Sequence, residues 1–314
     1  MAKLSNIEKS ILETVSYFDI FSFPLTQVEL YKNLYLLNND ISFNDFINVL
    51  ETNEIINMEI DNKEGFYFLR GRDNIVQIRK QTYNIAYKKY ILAMRYIRKL
   101  LYFPCFKSIM VCNTLALENS NENSDIDLFI ITERNRIWTA RFIAVMVSKI
   151  LNLRPKKNNQ KNKICLSFYI DEKHLNIENV SKNHNIYFIY WISQLVPIYD
   201  QDDIFNQFYN ENSWIRMYLK NIFNFNTADK RRLYLNKNGA FFRRIFSYLF
   251  TNGVENILKE IQMKKMNLEI KNKLNLNDDV LINDGIIKLH TNDRREQYKN
   301  EFELKIKKYY EKYI

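Results

Sequence analysis

Glycine and proline are scarce, with 5 and 4 residues in a chain of 314. So few turn-forming residues exclude a collagen-like, linker-rich or turn-dense all-β architecture. The three cysteines, Cys105, Cys112 and Cys165, have no CxxC spacing and cannot all pair. That excludes a disulfide framework and a structural zinc site, and it fits a reducing compartment. The three histidines, His174, His184 and His290, are scattered without metal-ligand spacing. No run reaches the roughly 18 apolar residues that a membrane span needs. The nearest candidate, IYFIYWISQLVPIY, is interrupted by Ser193, Gln194 and Pro197. The opening MAKLSNIEKS has no apolar signal core. These absences predict a cytoplasmic protein with no membrane partner.

What is present is apolar and aromatic mass. Hydrophobic residues make up 46% of the chain and aromatics 15%, enough for cores in two or three domains. The net charge of +10 permits a nucleic-acid partner. The chain is also rich in Asn, Lys, Ile, Tyr and Phe, as AT-rich coding sequence produces. Charge alone therefore does not select that partner.

The periodicities predict an α+β protein in four segments. Residues 1–72 read as helices followed by a hairpin. SNIEKSILETVSYF carries Ile7, Ile11, Leu12, Val15 and Phe18 at helical spacing behind a Ser5 cap. Thr26 and Ser42 are placed to cap QVELYKNLYLL and FNDFINVLETN. IINMEI and FYFLRG read as two strands around a Gly65 turn. Three helices and a hairpin make a winged-helix-like order. FNDFINVLETN has two acids and no Lys or Arg, which argues against its reading DNA.

Residues 73–104 read as a connecting helix broken at Pro104. Residues 105–180 alternate strands and helices: FKSIMVCNTLA, SDIDLFIIT, NRIWTARFIAVMVSKILNL and KICLSFYID. Residues 181–314 read as a helical C-terminal region, with IYFIYWISQLVPIYD as one of its helices.

The chemistry is concentrated in NTLALENSNENSDIDLFIIT. Residues two apart on a strand share a face, so Asp125 and Asp127 project side by side while Ile126 and Leu128 face the other way. LFIIT after them is continuously apolar, which makes the strand a buried one. Two adjacent carboxylates there resist joint ionisation unless a cation neutralises them. Oxygen ligands of this kind suit a divalent metal, Mg²⁺ above all where phosphates are also held.

The pattern resembles the signature of the DNA polymerase β-like nucleotidyltransferase superfamily. That signature is a Gly-Ser turn after a strand, then a connection leading to Ser and an Asp-hydrophobic-Asp strand. Here Asn113 and Thr114 stand at the turn, and Ser124, Asp125 and Asp127 match the second half. The specific resemblance covers Phe106 to Asp171. It implies a mixed-sheet nucleotidyltransferase core in which Asp125 and Asp127 hold Mg²⁺ or Mn²⁺. Asn113, Thr114 and Ser124 would then contact the nucleotide. A third carboxylate from a nearby strand would complete the metal site and help deprotonate the acceptor.

The implied reaction moves a nucleoside monophosphate from an NTP to an acceptor hydroxyl on a small molecule, an RNA or a protein. ICLSFYI offers no acid in its interior. Asp171, of the same parity as Cys165 and Ser167, is the expected third carboxylate, with Glu172 second. Asn113 in place of glycine and the missing mid-strand acid also support an alternative, a decayed member that regulates by binding a nucleotide or nucleic acid.

Overall fold

The computed structural model describes residues 3–156, 159–180, 185–222, 231–249, 252–276, 279–290 and 294–313. It is a mixed α+β protein built on two sheets. In the first part, α1 (Asn6–Asp19) starts at Ser5, whose backbone N–H donates to Glu8 Oε2 while the Glu8 N–H donates to Ser5 Oγ. The same reciprocal cap, Thr26 with Glu29, starts α2 (Gln27–Lys32), and Ser42 caps α3 (Phe43–Thr52). Each cap satisfies backbone donors that the first helical turn leaves unpaired.

IINMEI departs from expectation. The Asn53 side chain accepts from the Ile56 N–H at 3.0 Å and nucleates another short helix, α4 (Glu54–Glu59). The hairpin therefore begins later, with β2 (Ile60–Lys63) and β3 (Phe66–Leu69). Glu64 and Gly65 between them both have positive φ, the turn that matches strand twist. Strand β1 (Leu25–Thr26) pairs with β3 to complete a three-stranded sheet.

Helix α5 (Asn74–Leu100) links this part to a six-stranded sheet and packs on it through Ala86, Tyr90, Ala93, Tyr96 and Ile97. The sheet contains β4 (Phe106–Val111), β5 (Ile126–Thr132) and β6 (Ile164–Asp171), with α6 (Asn113–Ala116) and α7 (Ile137–Ile150) between them. It also contains β7 (Val196–Asp200), β8 (Val280–Ile282) and β9 (Ile286–Leu289), in the order β7-β4-β5-β6-β9-β8. Among the described strands, β5 and β6 are the one parallel pair, joined through α7.

The sheet thus extends beyond the expected 105–180 segment, and the C-terminal region is not purely helical. IYFIYWISQLVPIYD divides into α8 (Ile186–Ser193) and β7. Pro197 has no N–H to donate and lies on an edge strand, where that loss is tolerated.

One face of the sheet, with Ile109, Leu128, Ile130, Leu166 and Tyr169, packs on α5, α7 and α11 (Asn252–Lys264). Glu255 of α11 caps α7, accepting from the Trp138 and Thr139 N–H groups at 2.7 and 2.9 Å. The opposite face, with Met110, Cys112, Phe129, Ile131, Phe168 and Ile170, packs on α8 and on α9 (Ile204–Glu211). It shares one core with α1 and the three-stranded sheet.

The last helix, α13 (Arg295–Tyr313), returns to the first part. Lys305 pairs with Asp19 and Lys312 with Glu59, both at 2.6 Å. Between them in the chain lie α10 (Lys237–Leu249) and α12 (Leu268–Lys273). Among the described residues no helix is long and apolar enough to cross a membrane.

Candidate metal and nucleotide site

Strand β5 places Asp125 and Asp127 at its N-terminal mouth, both partly buried. Burial raises the Asp125 carboxyl above its ordinary range, opposed by the Lys89 ammonium. Burial, and then the Asp125 charge, push Asp127 up to about 6 against the lowering influence of the neighbouring Asn113 amide and Cys165 thiol. The pair is therefore held in a setting where a second negative charge is unwelcome without a cation.

Asn113 stands beside the pair in the left-handed region, with φ of 56°. Asparagine is among the residues that tolerate this conformation best. Its amide does more than occupy the glycine position of the resembling pattern. Oδ1 accepts from the Trp191 indole at 2.9 Å and the Tyr187 hydroxyl at 3.3 Å, while the side chain also lies close enough to Asp127 to lower its pKa.

Thr114 is exposed, with Oγ1 3.5 Å from Ser120 Oγ, and leaves its hydroxyl accessible. Ser124 turns its hydroxyl back onto the Asn121 carbonyl at 2.9 Å. Asn113 is thus gathered with the aspartates, Thr114 follows it in the chain, and the Ser124 hydroxyl is spent within its own turn.

Asp171 does not join them. Cys165 pairs with Asp127 across the parallel ladder, but Phe168 pairs with Phe129, so β6 carries one extra residue in between. That bulge reverses the alternation. Tyr169, of the same parity as Cys165, faces the α5–α7 side, while Phe168 and Ile170 face the other. Asp171 pairs with Thr132 at the far end, roughly 20 Å along the strand from Cys165 at the usual rise per residue. There its Oδ1 accepts from His174 Nδ1 at 2.6 Å and the Lys173 N–H at 3.0 Å. Glu172 Oε1 accepts from the Arg134 N–H at 3.0 Å at that same end.

The third group at the pair is Cys165. Its Sγ and one oxygen each of Asp125 and Asp127 lie within 4.8 Å of one another. Burial, followed by the Asp127 charge, raises the thiol well above its usual value. It is a poor ligand for a hard cation in that state. Two carboxylates nevertheless fit Mg²⁺ or Mn²⁺, which commonly take the rest of their coordination from phosphate and water oxygens.

Two features escape pattern reading. Lys89 of α5 is 2% exposed, and its Nζ donates to the Ser124 carbonyl and Asn162 Oδ1, both at 2.7 Å. It anchors the loop that delivers Asp125, and nothing in a basic-faced helix singles it out. A cavity of about 160 Å³ also opens next to Asn113. Phe168, Tyr187, Phe188, Trp191 and Tyr298 supply its aromatic walls; Lys288, His290, Arg294 and Arg295 supply basic groups. These come from α8, β9 and the start of α13, far from the aspartates in sequence. Trp138, Trp191 and Trp214 are all buried. His184 lies outside the described residues.

No protein-family model matches the chain, and no curated protein or solved structure is significantly similar to it.

Proposed function

We propose that this chain is a nucleotidyltransferase-like protein that binds an NTP through a divalent cation at Asp125 and Asp127, and that it acts as a nucleotide-binding regulator. The observation that carries this reading is the aspartate pair beside an aromatic, basic cavity, with Asn113 next to Asp127 on one side and lining that cavity on the other. Aromatic walls suit a stacked base, and the surrounding cations suit phosphates. Mg²⁺ or Mn²⁺ at the pair would neutralise the two carboxylates and bridge phosphate oxygens.

Regulation is favoured over efficient transfer because a thiol faces Asp127 where the third carboxylate is needed. Among the described residues no other acid groups with the pair. A general base normally contributes on the order of 10² to 10⁴ in rate. The N-terminal part is read as a winged-helix-like module for a protein partner. The outer face of α3 presents Asp45 and Glu51 and no cation, which suits neither phosphates nor base edges.

The test is incubation with each radiolabelled NTP, Mg²⁺ or Mn²⁺, and total cellular RNA, protein and metabolite fractions, with binding measured in parallel. Metal-dependent binding without label transfer supports the regulator. Label transfer that is lost with the aspartates would make the chain an active transferase.

A further inference from the structure

A second cavity, of about 300 Å³, lies at the seam between the N-terminal part and the six-stranded sheet. Its volume is at the lower end for small-ligand clefts. Phe23, Leu25, Leu195 and Ile222 form an apolar floor. The polar lining is unbalanced: Lys32, Arg79, Arg231 and Arg232 against Glu29 and Glu118, a surplus of two positive charges among the described residues.

The two carboxylates are engaged. Arg79 reaches Glu29 at 2.6 Å while stacking over the Phe23 ring at 3.6 Å. Arg231 pairs with Glu118 and lies over the Tyr90 ring at 4.2 Å. Leu233 donates its N–H to the Ile198 carbonyl at 2.7 Å, which fixes the Arg231–Arg232 segment beside β7.

Two lining residues carry a buried donor with no acceptor among the described residues. They are Gln194, through Nε2, and Arg232, through Nε. A buried donor left unpaired is costly, so such groups call for an acceptor. Burial also lowers the Lys32 pKa, with Glu29 opposing only in part. An anion in the cavity would relieve both conditions.

We propose that this cavity is a binding site, separate from the Asp125–Asp127 pair, for a small phosphate-bearing anion bridging the N-terminal part and the sheet. A phosphate monoester carries close to two negative charges at neutral pH and three acceptor oxygens. The charge matches the surplus, and the oxygens match the unpaired donors. Guanidinium groups suit phosphate geometry especially well. Glu118 of this cavity follows directly on the segment carrying Asn113 and Thr114, so occupancy here would bear on the position of that turn.

The test is calorimetry and thermal melting of the full chain in EDTA, with pyrophosphate as the probe and citrate as a carboxylate control. The wild-type chain should bind pyrophosphate in preference to citrate. The Lys32→Gln/Arg232→Gln variant should bind it on the order of tenfold more weakly or worse, the loss expected from removing charged hydrogen bonds. Gln194→Leu should weaken binding while leaving the ligand-free melting temperature unchanged or raised, since it removes an unpaired buried donor.

Asp125→Asn/Asp127→Asn should bind pyrophosphate like wild type without metal, which separates this site from the one above. Four results would overturn the proposal. They are no binding, equal binding by the Lys32/Arg232 variant, citrate binding as tight as pyrophosphate, and loss of binding in the aspartate variant. A lower ligand-free melting temperature for Gln194→Leu would also count against it.

Discussion

The Trp191 indole N–H donates to Asn113 Oδ1 at 2.9 Å, and the same Asn113 side chain lies next to Asp127 and lowers its pKa. One amide therefore ties α8, and the aromatic cavity it lines, to the aspartate pair. Asn113→Gly would suit the local φ of 56°, yet it would strip Trp191 of its partner. The lost hydrogen bonds outweigh the backbone relief, so a net destabilisation of about 1–2 kcal/mol is expected. NTP affinity should fall with it. Urea melts and NTP titration check both; a more stable, tighter-binding variant would mean the amide is dispensable.

Asp171 bonds His174 and the Lys173 N–H at the end of β6 remote from the pair. Asp171→Ala should cost about 1–3 kcal/mol of stability, as expected for a buried bonded carboxylate. Metal-dependent NTP binding by the folded variant should not change. A selective loss of binding at unchanged stability would return Asp171 to the site.

Cys165 faces Asp127, where no third carboxylate stands among the described residues. Cys165→Asp should destabilise the metal-free protein, because three acids then crowd one place. With Mn²⁺ and NTP it should raise turnover on the order of 10²-fold, the scale of a positioned base. Unchanged turnover in a folded variant that binds metal would show that something other than the missing acid limits transfer.

The Asp125–Asp127 pair, its strand and the β4–α6–β5–α7–β6 order were legible because side-chain alternation and helical spacing are local. The Asp171 assignment failed for a physical reason: one extra residue in β6 shifts the ladder between Asp127 and Phe129, and strand parity does not survive it. Local periodicity does not reveal such a bulge. The β8–β9 hairpin did carry a signal. Asn283-Asp284-Gly285 lies between two short apolar runs, and Asn283 Oδ1 accepts from the Gly285 and Ile286 N–H groups. The dipeptide Asp-Gly in that setting is a strong hairpin mark. The aromatic cavity was illegible because its walls meet only after β9 and α13 return to the sheet.

The pH response of the metal-free protein follows from Asp127, which burial and Asp125 push up to about 6. A carboxyl whose folded pKa is raised favours folding while protonated. Its contribution is complete below the ordinary Asp range and is lost as pH rises through about 6. In EDTA, urea midpoints of wild type should therefore fall relative to Asp127→Asn between pH 4 and 7. A difference that stays flat over this window would contradict the assigned environment.

The most direct test of the central claim is calorimetric titration of NTP in Mg²⁺ or Mn²⁺, comparing wild type with Asp125→Asn/Asp127→Asn. Wild type should bind with metal and lose most of its affinity in EDTA. The double variant should remain folded, since relief of repulsion offsets lost contacts, and bind at least tenfold more weakly, about 1.4 kcal/mol or more. Equal metal-dependent affinity in the two proteins would contradict the account.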